Sequence, residues 1–250
     1  MRAIILAAGR GSRLQQPDSQ PHPKCLLQFG GASLLERHLR LLKRAGVQEI
    51  VLGLGFRHEL IEAELERLQW QPKPQIALNE KFELGSVLTV HTLADAMTRG
   101  GDVLLMDADV LYDARIMDAL VAGRKPVNRI LIDCDFQRGE EPVKVCVRAG
   151  VPIELRKQLP PDLEYDTIGE SIGFFRFDQA GARRLASLVR GYVDGGRANM
   201  PHEEAIRDLI LERSQIFEVT EVTGAPWIEI DFPADVARAA SEILPRQVPL

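Results

Sequence analysis

The feature that most constrains this chain is its first 27 residues. Residues 3–8 form a short apolar run, the pattern of a strand buried on both faces of a parallel sheet. The run stops at Gly9 and Gly11. Glycines there let the backbone turn tightly and bring free N–H groups up to a ligand. Arg10 and Arg13 flank the turn, and a polar, proline-containing run leads on to Pro23, Lys24 and Cys25. Three cations around a glycine turn at the carboxyl end of a strand make a cradle for polyphosphate. Two familiar glycine motifs are excluded. The segment 9–14 lacks the third glycine of a dinucleotide fingerprint and its acid about twenty residues on, and no Gly-Lys-Ser/Thr ending marks a P-loop.

Beyond Lys24 the chain alternates between helix and strand periods. Residues 33–45 read as a helix, with Ser33 and Glu36 at capping-box spacing, Leu35, Leu39 and Leu42 on one face, and Gly46 beyond the end. Strands are expected over 49–56, 75–79 and 102–110, with helices over 58–68 and 86–97. This βαβ alternation predicts a parallel sheet covered by helices, with ligands at the carboxyl ends of the strands. The Gly9 turn, Asn79 and residues 107–109 then share one rim. In the second half, strand patterns over 129–136, 143–148, 153–159 and 172–177 succeed one another without long helices, which predicts antiparallel additions. Helices are expected over 179–194 and 201–214, strands over 217–222 and 227–231, and a last helix from Pro233 to about residue 244. The fold class is therefore α/β: a three-layer α/β/α sandwich on a mostly parallel, Rossmann-like sheet. A chain of 250 residues suits one domain, residues 1–250.

Charge and composition narrow the partners. The net charge is −5 and no basic block occurs, which weighs against nucleic acid. Cys25, Cys134 and Cys146 are widely spaced, which suits reduced thiols in a cytoplasm and no zinc site. The chain enters a strand after a single arginine, unlike a signal peptide, and no apolar run nears the roughly 20 residues that span a bilayer. The expectation is a cytoplasmic protein with no membrane partner; a homodimer stays open.

Two strand ends are acidic. Asp107 and Asp109 close an apolar run, and two carboxylates beside a core are costly unless something pairs with them. Magnesium, a hard cation with oxygen ligands, would satisfy them. The segment from Trp227 to Asp235 repeats the pattern with Glu229 and Asp231, while Asp235 suits the first turn of the helix after it. Asn79 comes after one strand, and Gly85 and Ser86 open a helix whose first N–H groups are free donors. Lys144 and Lys157 are isolated cations on otherwise apolar stretches. Glu170 lies in a Gly-Glu-Ser-Ile-Gly run, and Glu203 and Glu204 start a helix after Pro201 and His202.

The run Leu6, Ala7, Ala8, Gly9, Arg10, Gly11, Ser12, Arg13, Leu14, with Pro23 and Lys24 after it, resembles the signature of the nucleotidyltransferases that join a nucleoside triphosphate to a phosphorylated small molecule. Together with Trp227-Ile228-Glu229-Ile230-Asp231, it is most similar to the phosphocholine and aminoethylphosphonate cytidylyltransferases. The resemblance implies the nucleotide-diphospho-sugar transferase type of fold, with residues 1–125 as the nucleotide-binding half and 126–250 as the acceptor-binding half. It implies transfer of a nucleoside monophosphate, with CTP the expected donor, to a small phosphate or phosphonate, with release of pyrophosphate. Arg13, Lys24, Lys144 and Lys157 would be the catalytic cations. Residues 6–12 with Asn79, Gly85, Ser86 and Asp107 would bind the nucleotide, Asp109 and Asp231 would hold magnesium, and Glu170, Glu203 and Glu229 would face the acceptor. A sugar-1-phosphate or inositol-phosphate nucleotidylyltransferase, a metal-dependent glycosyltransferase and an inactive binding relative are the alternatives. The Arg13–Lys24 pair disfavours the glycosyltransferase, whose donor carries only a diphosphate.

The chain is only 6% aromatic, and Pro201 and His202 stand where an aromatic pair is expected before Glu203. A quaternary ammonium is usually held in an aromatic cage. The acceptor expected is therefore an aminoalkyl or polyol compound rather than choline, unless Tyr165, Tyr192 or Trp227 builds a cage.

Overall fold

The computed structural model describes residues 1–14, 21–123 and 127–249. The linker before Lys24 falls partly outside them, as does the division between the two halves at 125 and 126. The strand and helix periods of the first half become β1 (Arg2–Ala7), β2 (Gln28–Phe29), β3 (Ala32–Ser33), α1 (Leu34–Arg44), β4 (Glu49–Leu54), α2 (His58–Leu68) and β5 (Gln75–Leu78). Then come α3 (Ser86–Thr92), α4 (Ala94–Thr98), β6 (Val103–Asp107), β7 (Val110–Tyr112) and α5 (Ala114–Val121). The second half holds β8 (Asn128–Asp133), β9 (Lys144–Arg148), β10 (Val151–Arg156), β11 (Thr167–Phe177), α6 (Gln179–Asp194), α7 (His202–Arg213), β12 (Phe217–Glu221), β13 (Trp227–Glu229) and α8 (Pro233–Arg238).

The main sheet runs β10-β9-β11-β6-β1-β4-β5, with β8 beside β11 and β12 beside β8. Strands β6, β1, β4 and β5 are mutually parallel, while β11 pairs antiparallel with β6, β8 and β9. Alternation along the strands feeds two cores. Ala3, Ile5, Leu104 and Met106 pack with Leu39, Ile61 and Met117 of α1, α2 and α5. Ile4, Leu105 and Phe175 pack on the other face with Val90, Leu185 and Ile206 of α3, α6 and α7. This is the three-layer sandwich.

Three elements differ from the sequence pattern in ways that matter for the site. The strand expected over 102–110 ends at Asp107, and the chain bends through Ala108 and Asp109 before β7. Strand β7 leaves the main sheet because its residues find another partner: Val110, Leu111 and Tyr112 pair with Glu229, Ile228 and Trp227 of β13. Leu111, Ile228 and Ile230 seal this ribbon against Ala239 and Ile243 near the C-terminus. Strand β11 starts five residues before the expected 172–177, since its first half pairs with β9. The helix expected over 86–97 is broken at Leu93. Among the described residues no helix is long and apolar enough to cross a membrane.

Candidate active site

The glycine turn sits at the carboxyl end of β1, where Leu6 is level with Asp107 of β6. Gly11 has a φ of +60°, and a Cβ there would lie 2.8 Å from Cγ of Lys24. The turn therefore needs glycine both for its conformation and to admit the lysine. A Cβ on Gly9 would meet nothing within 4 Å, because that position faces the open cleft. Residues Leu6, Ala7, Gly9, Gly11, Ser12, Arg13 and Lys24 line a pocket of about 180 Å³ together with Asp109. A second pocket of about 340 Å³ continues from it past Ala8, Ser86, Asp107, Lys157, Gly173, Glu203, Glu229 and Asp231.

Pairing of β7 with β13 places the acids. The N–H of Ile230 donates to the Asp109 carbonyl at 2.9 Å, which sets Asp231 beside Asp109. Lys24 lies between them, with Nζ 2.8 Å from Oδ2 of Asp109 and 2.7 Å from Oδ1 of Asp231. Burial alone would lower the pKa of Lys24, but the charges of Asp109 and Asp231 outweigh it and hold the ammonium well above its usual value. Arg13 Nη1 reaches Asp231 at 3.2 Å and Glu141 at 3.2 Å. Glu229 joins the same group: one carboxylate oxygen from each of Asp109, Glu229 and Asp231 lies within 4.8 Å of the others. An all-carboxylate donor set of this kind fits a hard divalent cation. Loss of hydration, with the charges of Asp109 and Asp231, pushes the Glu229 carboxyl well above the carboxylate range. Burial, with the charges of Asp109 and Glu203, does the same to Asp107.

Not every candidate residue reaches this cleft. Lys144 is buried and spends its ammonium on three backbone carbonyls: Gly139 at 2.7 Å, Pro142 at 3.2 Å and Lys157 at 2.5 Å. It anchors the 139–142 loop, while Lys157 does line the cleft and contacts Glu141 at 3.1 Å. Asn79 is buried, donates to Thr89 Oγ1 at 3.0 Å and accepts from the Lys81 N–H at 3.0 Å. It is a turn residue that ties β5 to α3. Gly85 is packed so tightly that a Cβ would sit 2.7 Å from the backbone of Asn199. Arg10 pairs with Glu83 at 2.6 Å and lies over the Phe56 ring. Glu170 faces a neighbouring acidic basin with Asp133 and Glu229, where burial and the Asp133 charge raise its carboxyl to about 7.

Sequence reasoning gave no role to two residues of the cleft. Gly173, at φ +76°, lets β11 pass Asp107: a Cβ would lie 2.5 Å from its carboxylate. The glycine run around Glu170 carried that signal. His202 is buried, its N–H donates to Ser86 Oγ at 2.8 Å, and its Nδ1 lies 3.1 Å from the same oxygen. Nothing in the linear pattern places His202 against α3. Of the three aromatic residues considered for a cage, Tyr192 donates to Asp208 at 2.8 Å, and Trp227 donates to Asp133 at 2.8 Å in the basin. Tyr165 lines neither pocket of the cleft.

A glycine turn at a strand end, flanked by lysine and arginine and facing a carboxylate trio, on this sheet order, is the arrangement of a nucleotidyltransferase. The chain belongs to the family of MobA-like NTP transferase domains, which matches residues 3–165. It is similar to the CTP:phosphoglutamine cytidylyltransferase of Campylobacter jejuni, with 24% identity over 94% of this chain and 98% of that protein. It is 33% identical to the CMP-5'-(3-aminopropyl)phosphonate synthase of Streptomyces rubellomurinus over 96% of this chain but 38% of that protein. It likewise spans about half (49%) of the bifunctional IPC transferase and DIPP synthase of Thermococcus kodakarensis, at 26% identity. In fold it resembles the inositol-1-phosphate CTP transferase from T. maritima, with a TM-score of 0.74 and 21% identity, covering 99% of this chain and 98% of that one.

Proposed function

We propose that the chain transfers a cytidylyl group from CTP to a small phosphate or phosphonate carrying an amine or hydroxyls. The observation that carries this reading is the position of Lys24, between Asp109 and Asp231 and directly under the Gly9–Gly11 turn. The activities for which the relatives are named favour cytidylyl transfer over the other nucleotides. An acceptor oxygen attacks the α-phosphorus of CTP; the new P–O bond forms as the bond to the β-phosphate bridging oxygen breaks, and pyrophosphate leaves. The backbone N–H groups of residues 8–12, with Arg13 and Lys24, hold the triphosphate and offset the charge that develops on it. Asp109 and Asp231, with Glu229, would hold a divalent cation such as magnesium. When bound, it supplies charge neutralisation across phosphate oxygens. Lys157 draws the acceptor phosphate into the inner cleft. No protein nucleophile is needed.

The test is a panel of the four nucleoside triphosphates against phosphocholine, phosphoethanolamine, 2-aminoethylphosphonate, inositol phosphate and sugar-1-phosphates, read by pyrophosphate release. CTP with an amino or hydroxylated acceptor should give the highest kcat/KM. Turnover confined to a sugar-1-phosphate with another nucleotide would overturn the reading. A clear preference for phosphocholine would show that a cage exists after all.

A further inference from the structure

The inner cleft does not end at the acceptor phosphate. Past Val143, Lys157 and Glu203 it opens into an outer groove of about 380 Å³ between the end of β10 and the start of α7. Glu203 stands at the junction of the two spaces, with its side chain 27% exposed; Oε2 is turned inward and buried, 3.1 Å from His202 Nδ1. The part of the carboxylate that faces the two spaces is what an N–H or O–H donor of a ligand can meet.

The far wall of the groove is Arg156. Its Nε donates to Glu204 Oε1 at 2.9 Å and its Nη2 to Glu204 Oε2 at 2.7 Å. This fork fixes the guanidinium plane without using all of it. Among the described residues Nη1 takes part in none of these bonds, and the side chain remains 40% exposed toward the groove. A second fork behind it, Arg207 to Glu154 at 2.5 and 2.8 Å, holds α7 on β10, so the wall is built on two clamped elements. A guanidinium held in this way is pre-organised to receive a carboxylate or a carbonyl.

We infer that the acceptor is zwitterionic beyond its phosphate: an amine answers Glu203 at the junction, and a carboxylate further out answers the open edge of Arg156, as in a phosphorylated or phosphonate amino acid. This rests on the reading of the cleft as a cytidylyltransferase site and names its substrate class more narrowly. A bare aminoalkyl phosphate leaves Arg156 unanswered. A polyol phosphate has no anion for it.

Two matched pairs test this with CTP: phosphoethanolamine against O-phosphoserine, and 2-aminoethylphosphonate against 2-amino-3-phosphonopropionate. The members of each pair differ by one carboxylate. The carboxylated member should be preferred by at least about tenfold in kcat/KM. In the double variant Arg156→Gln/Glu204→Gln, which leaves neither charge orphaned, that ratio should fall to near one; a thermal melt checks that the variant is folded. Calorimetric binding of the same four compounds reads the ratio without turnover. A protein that binds the carboxylated members more tightly but transfers no cytidylyl group overturns the donor reading and upholds this one. A ratio near one in the native protein, a ratio unchanged in the double variant, or binding of none of the four overturns this inference.

Discussion

Gly9 separates what the ligand requires of the glycine turn from what the fold requires. Its φ lies outside the left-handed region, and a Cβ built on it meets no atom within 4 Å. Replacing glycine with alanine at a compatible position stabilises a protein by about 0.4–1 kcal/mol, because the unfolded chain loses freedom. For a chain of this size that is a rise in Tm of about 1–4 °C. The same methyl group would protrude into the pocket lined by Leu6, Arg13 and Lys24, where the triphosphate is proposed to lie. Intrusion into a packed contact costs about 1–3 kcal/mol, which corresponds to roughly 5- to 150-fold in Kd. Gly9→Ala should therefore melt at or above the native temperature and bind CTP that much more weakly. Gly11→Ala is the contrast: at φ +60° the left-handed backbone costs an alanine about 1 kcal/mol or more, and its Cβ would press on the Lys24 stem, so both Tm and CTP affinity should fall. Calorimetric titration with CTP and a thermal melt of each variant read the two effects apart. Native CTP affinity in folded Gly9→Ala would refute the placement of the triphosphate on this turn.

Alanine at Asp109 or Asp231 should lower turnover by orders of magnitude, since the leaving pyrophosphate loses its counter-charge; near-normal rates for both in the presence of magnesium would overturn their assignment. Lys24→Ala should cut kcat/KM by at least about 10²-fold, and a steady-state assay that finds native turnover would reduce it to a structural partner of Asp109 and Asp231. Lys144→Met leaves the carbonyls of Gly139, Pro142 and Lys157 without their donor and should cost about 1–3 kcal/mol in a denaturant melt; unchanged stability with a raised acceptor KM would instead return it to the acceptor phosphate. Glu170 titrates near 7 when folded because of burial and Asp133. Its raised folded pKa means that the folded state binds the extra proton, so stability falls as pH rises from the usual carboxylate range through 7. Glu170→Gln should raise Tm at pH 8 and leave it unchanged at pH 4, as read by melts at both pH values.

The glycine turn was legible because its information is local: an apolar run, two glycines and three cations within 24 residues. The parallel half of the sheet was legible for the same reason, since each βα unit carries its own period. What the linear pattern could not show is where a strand changes partner. Asp107 and Asp109 fell within one expected strand, 102–110, yet Val110 to Tyr112 answer to β13, more than a hundred residues away, and the chain bends between the two acids. The same pairing draws Glu229 toward Asp109, whereas sequence alone set it toward the acceptor. Lys144 shows the other limit. A lysine on an apolar strand can snorkel to solvent or turn inward to carbonyls, and only the position of the 139–142 loop decides between them. Asn79 and Gly85 are a third case: their residue types fit base recognition and turn packing equally well, and the contacts found are those of packing.

The two-stranded ribbon therefore links the halves of the site. Ile230 bonds to the Asp109 backbone, so the spacing of the acids is set by hydrogen bonds between β7 and β13 rather than by either strand alone. The ribbon is sealed by Ile228, Ile230 and Leu111 against residues near the C-terminus. Five carboxylates, those of Asp107, Asp109, Glu203, Glu229 and Asp231, then line one cleft with Lys24, Arg13 and Lys157 as its cations. Burial, then repulsion, raises the pKa of Asp107 and Glu229, neither of which pairs with a lysine, whereas Lys24 pairs with Asp109 and Asp231. Charge in this cleft is thus held in a poised balance: carboxylates concentrated where a divalent cation is proposed to sit, and cations concentrated where the phosphates are proposed to lie, within reach of one another across the carboxyl edge of β1 and β6.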